Sequence, residues 1–225
     1  MREENIERLR SYRDTPVSDL YYLVYEPLFR DLEECVAKYA KGKVLDIGCG
    51  NKPYESMFSG KISSYTGCDV VQSSENKVDV ICEATSIPLG NENFDTIFST
   101  QTIEHVADHQ ALVNEAFRLL KPGGYFILSG PMYWPLHEEP HDYFRFTKHG
   151  FRHILVKAGF SVEEIRSNGG KWLLLGQVIL HTMPARLTRW KWMRRLHNRF
   201  FLRLNRKHPD ESNTMNYVIV SKKPA

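Results

Sequence analysis

The stretch VLDIGCGNKPY, residues 44–54, decides the fold. A short apolar run ends in an acid, Asp46, and breaks at once into Gly48-x-Gly50. Such a run reads as a buried parallel strand. Glycines directly after it let the backbone turn sharply and approach a ligand closely. A dinucleotide is the obvious candidate, and two residues argue against it. The third glycine of the dinucleotide fingerprint, needed for close helix packing, is replaced at Pro53. A carboxylate at Asp46 would repel a pyrophosphate and attract an ammonium or sulfonium group.

Strand and helix alternate outward from this loop. Before it, residues 3–41 read as two helices, with DTPVSDL between them supplying Pro16 and a capping Ser or Asp. Strands are predicted at 43–48, 63–70, 78–82, 94–100, 125–130, 161–165 and 216–221. Between them, 107–120 places Leu112, Val113, Ala116, Phe117 and Leu120 on one helical face and stops at Lys121-Pro-Gly-Gly. A further helix over 147–160 is capped by Thr147 and closed at Gly159. Strands separated by helical patterns predict an α/β fold with a mostly parallel, doubly wound, seven-stranded sheet and helices on both faces. Ligands of such sheets bind outside the carboxyl ends of the strands.

The motifs VLDIGCG (44–50), GCDV (67–70), CEATSIPLGNENFDTI (82–97), TIEHV (102–106) and RLLKPGGYFILSGP (118–131) occur in this order. Together, over about residues 40–165, they resemble the class I S-adenosylmethionine-dependent methyltransferases of the small-molecule type. The resemblance implies S-adenosylmethionine as cofactor, S-adenosylhomocysteine as product and an antiparallel last strand. It places Asp46 at the methionine ammonium and Gly48 and Gly50 at the close backbone approach. Asp69 and Val70 fall at the ribose, Glu83 and Ala84 at the adenine, and Thr100 and Gln101 at the methionine end. Most relatives carry Asp-Ala where this chain has Glu83-Ala84.

His-Glu-x-x-His at 137–141 has the spacing of a zinc protease. Pro140 inside the motif would delete a helical hydrogen bond and clash with the preceding turn, at a cost of ~3 kcal/mol, so the helix that chemistry needs cannot form there. No metal site is expected. The loop instead follows the fifth strand, beside the methyl-bearing end of the implied cofactor. A hydroxyl acceptor would need a general base there, and histidine is the usual choice near neutral pH. His137 and His141 are the candidates, oriented by Asp142 or Glu138, with His105 as a second base candidate. Tyr143 and Arg145 are candidates for holding a polar or anionic substrate, and Arg145 with Asp142 or Glu139 is an alternative structural ion pair.

The net charge of +3 is unevenly spread. From Ile165 to Pro209 there is no acid and there are eleven Lys and Arg, which leaves −8 on the rest. Residues 171–209 form an insertion between the last two strands. In it Lys191, Arg195, Arg199, Arg203 and Lys207 recur at steps of four, with Leu187, Trp190, Met193, Leu196, Phe200, Phe201 and Leu204 expected on the opposite side. Three readings stay open for 186–207: docking on an anionic membrane surface, a packed lid or homodimer element, and nucleic-acid binding. No recognised RNA module accompanies the arginines, so nucleic acid is not the expected partner.

The expected organisation is N-terminal helices over the active site (1–42), a cofactor-binding α/β domain (43–170 with 210–225) and the basic helical insertion (171–209). Four separated cysteines and no apolar leader point to the cytoplasm, or the inner membrane face. The acceptor is expected to be a small polar, saccharide or lipid-linked molecule, methylated at oxygen. The alternative is a membrane-surface or RNA-binding protein that keeps the fold as a scaffold.

Overall fold

The computed structural model describes residues 15–225. Seven strands form one sheet: β1 (Gly42–Ile47), β2 (Ile62–Asp69), β3 (Val80–Ile81), β4 (Phe94–Thr100), β5 (Leu120–Pro131), β6 (Ser161–Asn168) and β7 (Asn216–Lys222). Their order is β3-β2-β1-β4-β5-β7-β6. β7 pairs antiparallel with both β5 and β6, and the other pairings are parallel. The mostly parallel sheet and antiparallel last strand are as the sequence predicts. β1 and β4 are central, and Val44, Leu45, Ile47, Ile97 and Phe98 are completely buried, which is why they read as unbroken apolar runs.

The two faces are covered by different elements. α1 (Tyr22–Tyr39) brings Leu28, Leu32, Cys35 and Val36 onto one face, against Val44, Phe98, Ile127 and Val218. α2 (His109–Leu119) and α3 (Lys148–Lys157) cover the other with Leu112, Ala116, Phe151 and Leu155. The caps are real: Asp108 accepts from Ala111 N at 2.9 Å, and Thr147 from Gly150 N at 3.1 Å. The first helix expected before residue 14 lies outside the described residues. α1 itself has no side-chain cap. Asp19 accepts instead from the Tyr21 amide at 2.8 Å, short of the helix.

Between β1 and β2 the chain makes only a single 3₁₀ turn, Glu55–Phe58. A dinucleotide fold would place a long helix there, its N-terminus aimed at the pyrophosphate. Pro53 and its turn remove that seat.

The insertion comprises α4 (Gly170–Thr182), α5 (Ala185–Thr188) and α6 (Lys191–Lys207). α4 and α6 pack together and onto α1, with Leu23, Leu173, Phe201 and Met215 in a small core of their own. Their crossing is close at Gly176, where an added Cβ would lie 2.7 Å from Phe201 Cγ and 2.8 Å from Leu23 Cδ1. α6 is also tied to the chain before α1. Asn198 Nδ2 donates to the carbonyls of Val17 (2.7 Å) and Asp19 (2.9 Å), and Arg194 Nε donates to Ser18 O at 2.6 Å.

This packing corrects one expectation. The face of α6 that packs inward carries Asn198 and Phe201, not the whole apolar set. Leu196 and Phe200 are 60% and 57% exposed, in line with Trp192 at 63%. They stand beside Lys191, Arg195, Arg199 and Arg203, which are exposed too.

Candidate functional site

At the carboxyl ends of β1, β2 and β4, three adjoining cavities open. The first is lined by Gly48, Gly50, Tyr54, Asp69, Thr100 and Gln101 among others. The second, of about 570 Å³, is lined by Asp69, Val70, Glu83, Ala84, His141 and Tyr143 among others. The third is lined by Tyr25, Leu28, Tyr54, Trp134, His137 and Asn216 among others. His105 and Glu138 line all three. The cavities therefore meet at that pair, where the turn after β4 faces the loop after β5.

The glycine loop is shaped for close approach. Gly48 has φ +78°, and an added Cβ would lie 2.2 Å from Thr102 Oγ1. The Gly48 and Cys49 amides donate to Cys68 O at 2.8 and 3.1 Å, tying the loop to the end of β2. Asp69 completes the tie by accepting from Gly50 N (3.1 Å) and Val70 N (2.7 Å). Each carboxylate oxygen has a second lone pair, so Asp69 keeps acceptor capacity toward the cavities it lines.

Asp46, expected at the methionine ammonium directly or through water, lies beneath the loop. It is 2% exposed and is not among the cavity-lining residues. Its Oδ2 accepts from the Tyr65 hydroxyl at 2.6 Å, beneath the loop. Burial pushes its carboxyl up to about 7, the Tyr65 hydrogen bond opposes that rise, and the Asp69 charge adds to it. The other residues predicted for the cofactor, Gly48, Gly50, Asp69, Val70, Glu83, Ala84, Thr100 and Gln101, all line the first or second cavity.

The 137–146 loop divides its polar residues between support and site. Arg145 grips Asp142 with both ends of its guanidinium, at 2.6 and 2.8 Å. It also donates to the carbonyls of Trp134 (3.1 Å), Pro135 (3.1 Å) and Phe144 (2.8 Å). The Arg145 donors thus staple the loop, and the ion-pair alternative describes this residue. Burial would raise Asp142, but Arg145 and the His137 amide bring its carboxyl down to about 2. Asp142 Oδ2 accepts from His137 N at 3.0 Å and lies 3.3 Å from His137 Nδ1. Burial holds the His137 imidazole below its usual value, so it is neutral near pH 7. His141 Nδ1 lies 3.1 Å from the Tyr143 hydroxyl at the cavity rim, where both side chains are exposed.

His105 occupies the junction. Its Nδ1 lies 2.8 Å from His141 O, which can only accept, so Nδ1 carries the hydrogen and Nε2 the lone pair in the neutral ring. That Nε2 lies 3.8 Å from Glu138 Oε2 and 3.9 Å from Glu104 Oε1. The His105 and His137 rings meet edge to face, 4.7 Å between centroids. Glu104 was not foreseen in the sequence. It is completely buried, neither carboxylate oxygen has a hydrogen-bond partner, and burial pushes its carboxyl up to about 8. Tyr54 and Asn216 were also not foreseen. Their positions beside the third cavity come from packing between distant elements, and only Glu104, adjacent to His105 in TIEHV, carried a local signal.

Residues 45–128 match the family described as a methyltransferase domain. Over that span the chain is similar to S-adenosylmethionine-dependent methyltransferases. A Mycolicibacterium smegmatis protein described as a probable S-adenosylmethionine-dependent methyltransferase is 28% identical over 135 residues, covering 54% of this chain and 52% of its own. The ubiquinone biosynthesis O-methyltransferase of Pseudomonas entomophila is 29% identical over 100 residues, covering 39% of this chain and 43% of its own. The chain thus spans about half the length of the curated relatives it matches. The crystal structure of the [4+2]-cyclase SpnF superposes with a TM-score of 0.61 over 94% of this chain and 86% of its own, at 15% identity. That likeness is one of fold.

The residues present fit S-adenosylmethionine, the methyl donor that the matched domain implies. Gly48 and Asp69 line both the first and the second cavity, and an added Cβ at Gly50 would meet nothing within 4 Å, so the loop backbone and a strand-end acid are open to a ligand. No pyrophosphate seat competes.

Proposed function

We propose that this methyltransferase moves a methyl group to a hydroxyl oxygen of a small polar, saccharide or lipid-linked acceptor. The observation that carries the reading is the meeting of three cavities at His105 and Glu138. Asp69, Val70, Glu83 and Ala84 would hold the nucleoside part of S-adenosylmethionine, and Gly48, Thr100 and Gln101 its methionine part, with Asp46 acting from beneath the loop. The acceptor enters the third cavity between Tyr25, Tyr54 and Trp134, whose rings suit the apolar faces of a sugar or isoprenoid-like group. When bound, S-adenosylmethionine supplies an electrophilic methyl carbon on sulfur, so the oxygen–carbon bond forms as the carbon–sulfur bond breaks. The protein's part is alignment and a destination for the hydroxyl proton. His105 and His137 face the acceptor and activate its hydroxyl, and Glu138 stands within reach to take the proton. Asp142 and Arg145 hold the loop that presents His137, with Tyr143 and His141 at its outer rim.

The supporting relatives include an O-methyltransferase by name. The test is transfer of labelled methyl into fractions of a cell extract separated into lipid, sugar and RNA. The reading expects label in the lipid or sugar fraction that withstands mild base, as a methyl ether does and a methyl ester does not. Label confined to RNA or protein contradicts it.

The exposed ridge of α6 supports a membrane-surface partner. Trp192, Leu196 and Phe200 run beside Lys191, Arg195, Arg199 and Arg203. A tryptophan-bearing apolar strip beside a row of cations is the chemistry of an interfacial helix on anionic lipid. Among the described residues no helix is long and apolar enough to cross a membrane. Such a surface would bring the third cavity near a lipid-linked acceptor at the inner face of a membrane. The exposure of Trp192, Leu196 and Phe200 supports this reading over a purely internal lid.

A further inference from the structure

We propose that Glu104, His105 and His137 form a binding site for one divalent first-row transition-metal ion. One ligand atom from each residue lies within 4.8 Å of the other two. In a tetrahedral site with arms of ~2.0–2.1 Å the ligand atoms stand roughly 3.3 Å apart. An ion bound there would require side-chain rotation of Glu104 and His137 to close that difference.

Two further observations point to a cation. The Glu104 carboxylate is completely buried, and neither oxygen has a hydrogen-bond partner. Buried carboxylates left in that state are costly, and coordination to a metal is one of the few arrangements that satisfies them. The second observation is the orientation of His105. Its Nδ1 hydrogen is held by the His141 carbonyl at 2.8 Å. Metal-binding histidines are oriented in this way, with one nitrogen on a backbone carbonyl and the other turned to the ion. The free Nε2 faces Glu104 Oε1 at 3.9 Å. Asp142, 3.3 Å from His137 Nδ1, supplies an outer carboxylate for the second imidazole.

Two imidazoles and one carboxylate leave open positions, the pattern of catalytic rather than structural metal sites. That donor set selects zinc, cobalt, manganese or iron over magnesium, which prefers oxygen ligands. The site lies where the three cavities meet. Its use rests on the methyl-transfer reading: an acceptor hydroxyl on an open position would be acidified, with Glu138 left to accept the proton. No electrons are exchanged, and the proton lost from oxygen is the one gained by Glu138.

The test uses the full chain without an affinity tag. Zinc chloride is titrated in by calorimetry, and cobalt chloride is followed by its visible d–d absorption. The proposal expects one ion per chain and a cobalt spectrum of mixed nitrogen and oxygen ligands. Glu104→Gln, His105→Ala and His137→Ala should each weaken zinc by more than the roughly 10–100-fold typical of an outer-shell loss. His149→Ala, on the exposed side of α3, should leave it unchanged. Wild-type protein that binds neither ion, or binds magnesium in preference to both, overturns the proposal. So does zinc binding that survives all three ligand variants. Circular dichroism and S-adenosylhomocysteine titration on each variant separate a lost ligand from a lost fold. Retained S-adenosylhomocysteine binding and undiminished turnover in chelator, with no ion bound, would remove the metal and leave the methyltransferase reading standing.

Discussion

The Tyr65 hydroxyl donates to the buried Asp46 carboxylate at 2.6 Å, directly beneath the glycine loop. The pair stores a conflict between stability and function. Burial pushes Asp46 up to about 7, above the ordinary carboxylate value of the unfolded chain. A carboxyl raised on folding leaves stability intact at low pH. It costs stability as pH rises from the unfolded value through about 7. Asp46→Asn is therefore expected to raise the melting temperature of the ligand-free protein at pH 8 and to change it little at pH 4. The gain should be about 2–4 °C for each kcal/mol recovered. The same substitution should weaken S-adenosylhomocysteine, whose ammonium loses a nearby negative charge. Thermal scans at both pH values, paired with calorimetry, check both signs. An equal effect at the two pH values would contradict the assignment.

The His105 and His137 rings, in edge-to-face contact at the junction, should matter to turnover and little to cofactor binding. His105→Ala and His137→Ala are expected to lower kcat by about 10²–10⁴-fold, with S-adenosylhomocysteine affinity nearly unchanged. His141→Ala, at the exposed rim, should do less. Steady-state kinetics with titrations on the same samples measure this. Full activity in both junction variants would place the chemistry elsewhere.

Gly176 sits where α4 crosses α6. Its replacement by alanine would drive a methyl group to 2.7 Å from Phe201 and 2.8 Å from Leu23. Overpacking of this kind costs about 1–3 kcal/mol, read as a lower melting temperature. An unchanged melting temperature would mean that the insertion does not pack as described.

The ridge on the outside of α6 makes the opposite prediction. Exchanging Trp192, Leu196 and Phe200 together for serine should leave the melting temperature within a degree or two, because these side chains bury little. Co-sedimentation with vesicles containing anionic lipid should be lost, and the wild type should bind less as salt rises. Wild-type protein that never sediments with anionic vesicles at low salt would remove the membrane partner.

What was legible in the sequence follows from burial. β1, β4 and β5 announce themselves as continuous apolar runs because both faces of the sheet are covered, and their ends are marked by Asp46, Thr100 and Gly130. Asp108 and Thr147 could be read as caps because that preference is local. α6 shows where such reading stops. Its amphipathic pattern correctly gives a helix, but polar Asn198 turns inward to reach the carbonyls of Val17 and Asp19. Leu196 and Phe200 are left outside as a consequence. A hydrogen bond between residues so far apart in the chain leaves no trace in periodicity. The burial of Asp46 was hidden for the same reason, since its partner Tyr65 belongs to the neighbouring strand. Glu104 was hidden because the loop that buries it comes from the far end of β5.

Asp69 carries the central claim, an acid at the end of β2 that accepts from the ribose of a cationic nucleoside cofactor. The direct measurement is calorimetry with S-adenosylhomocysteine on the wild type, Asp69→Asn and Asp69→Ala. The account predicts binding to the wild type and a loss of about 10–100-fold in Asp69→Ala, the equivalent of a charge-assisted hydrogen bond worth ~1.5–3 kcal/mol. Asp69→Asn, which keeps one acceptor for the loop amides, should fold normally and still bind more weakly than the wild type. Binding that is absent from the wild type, or identical across the three proteins, would contradict it.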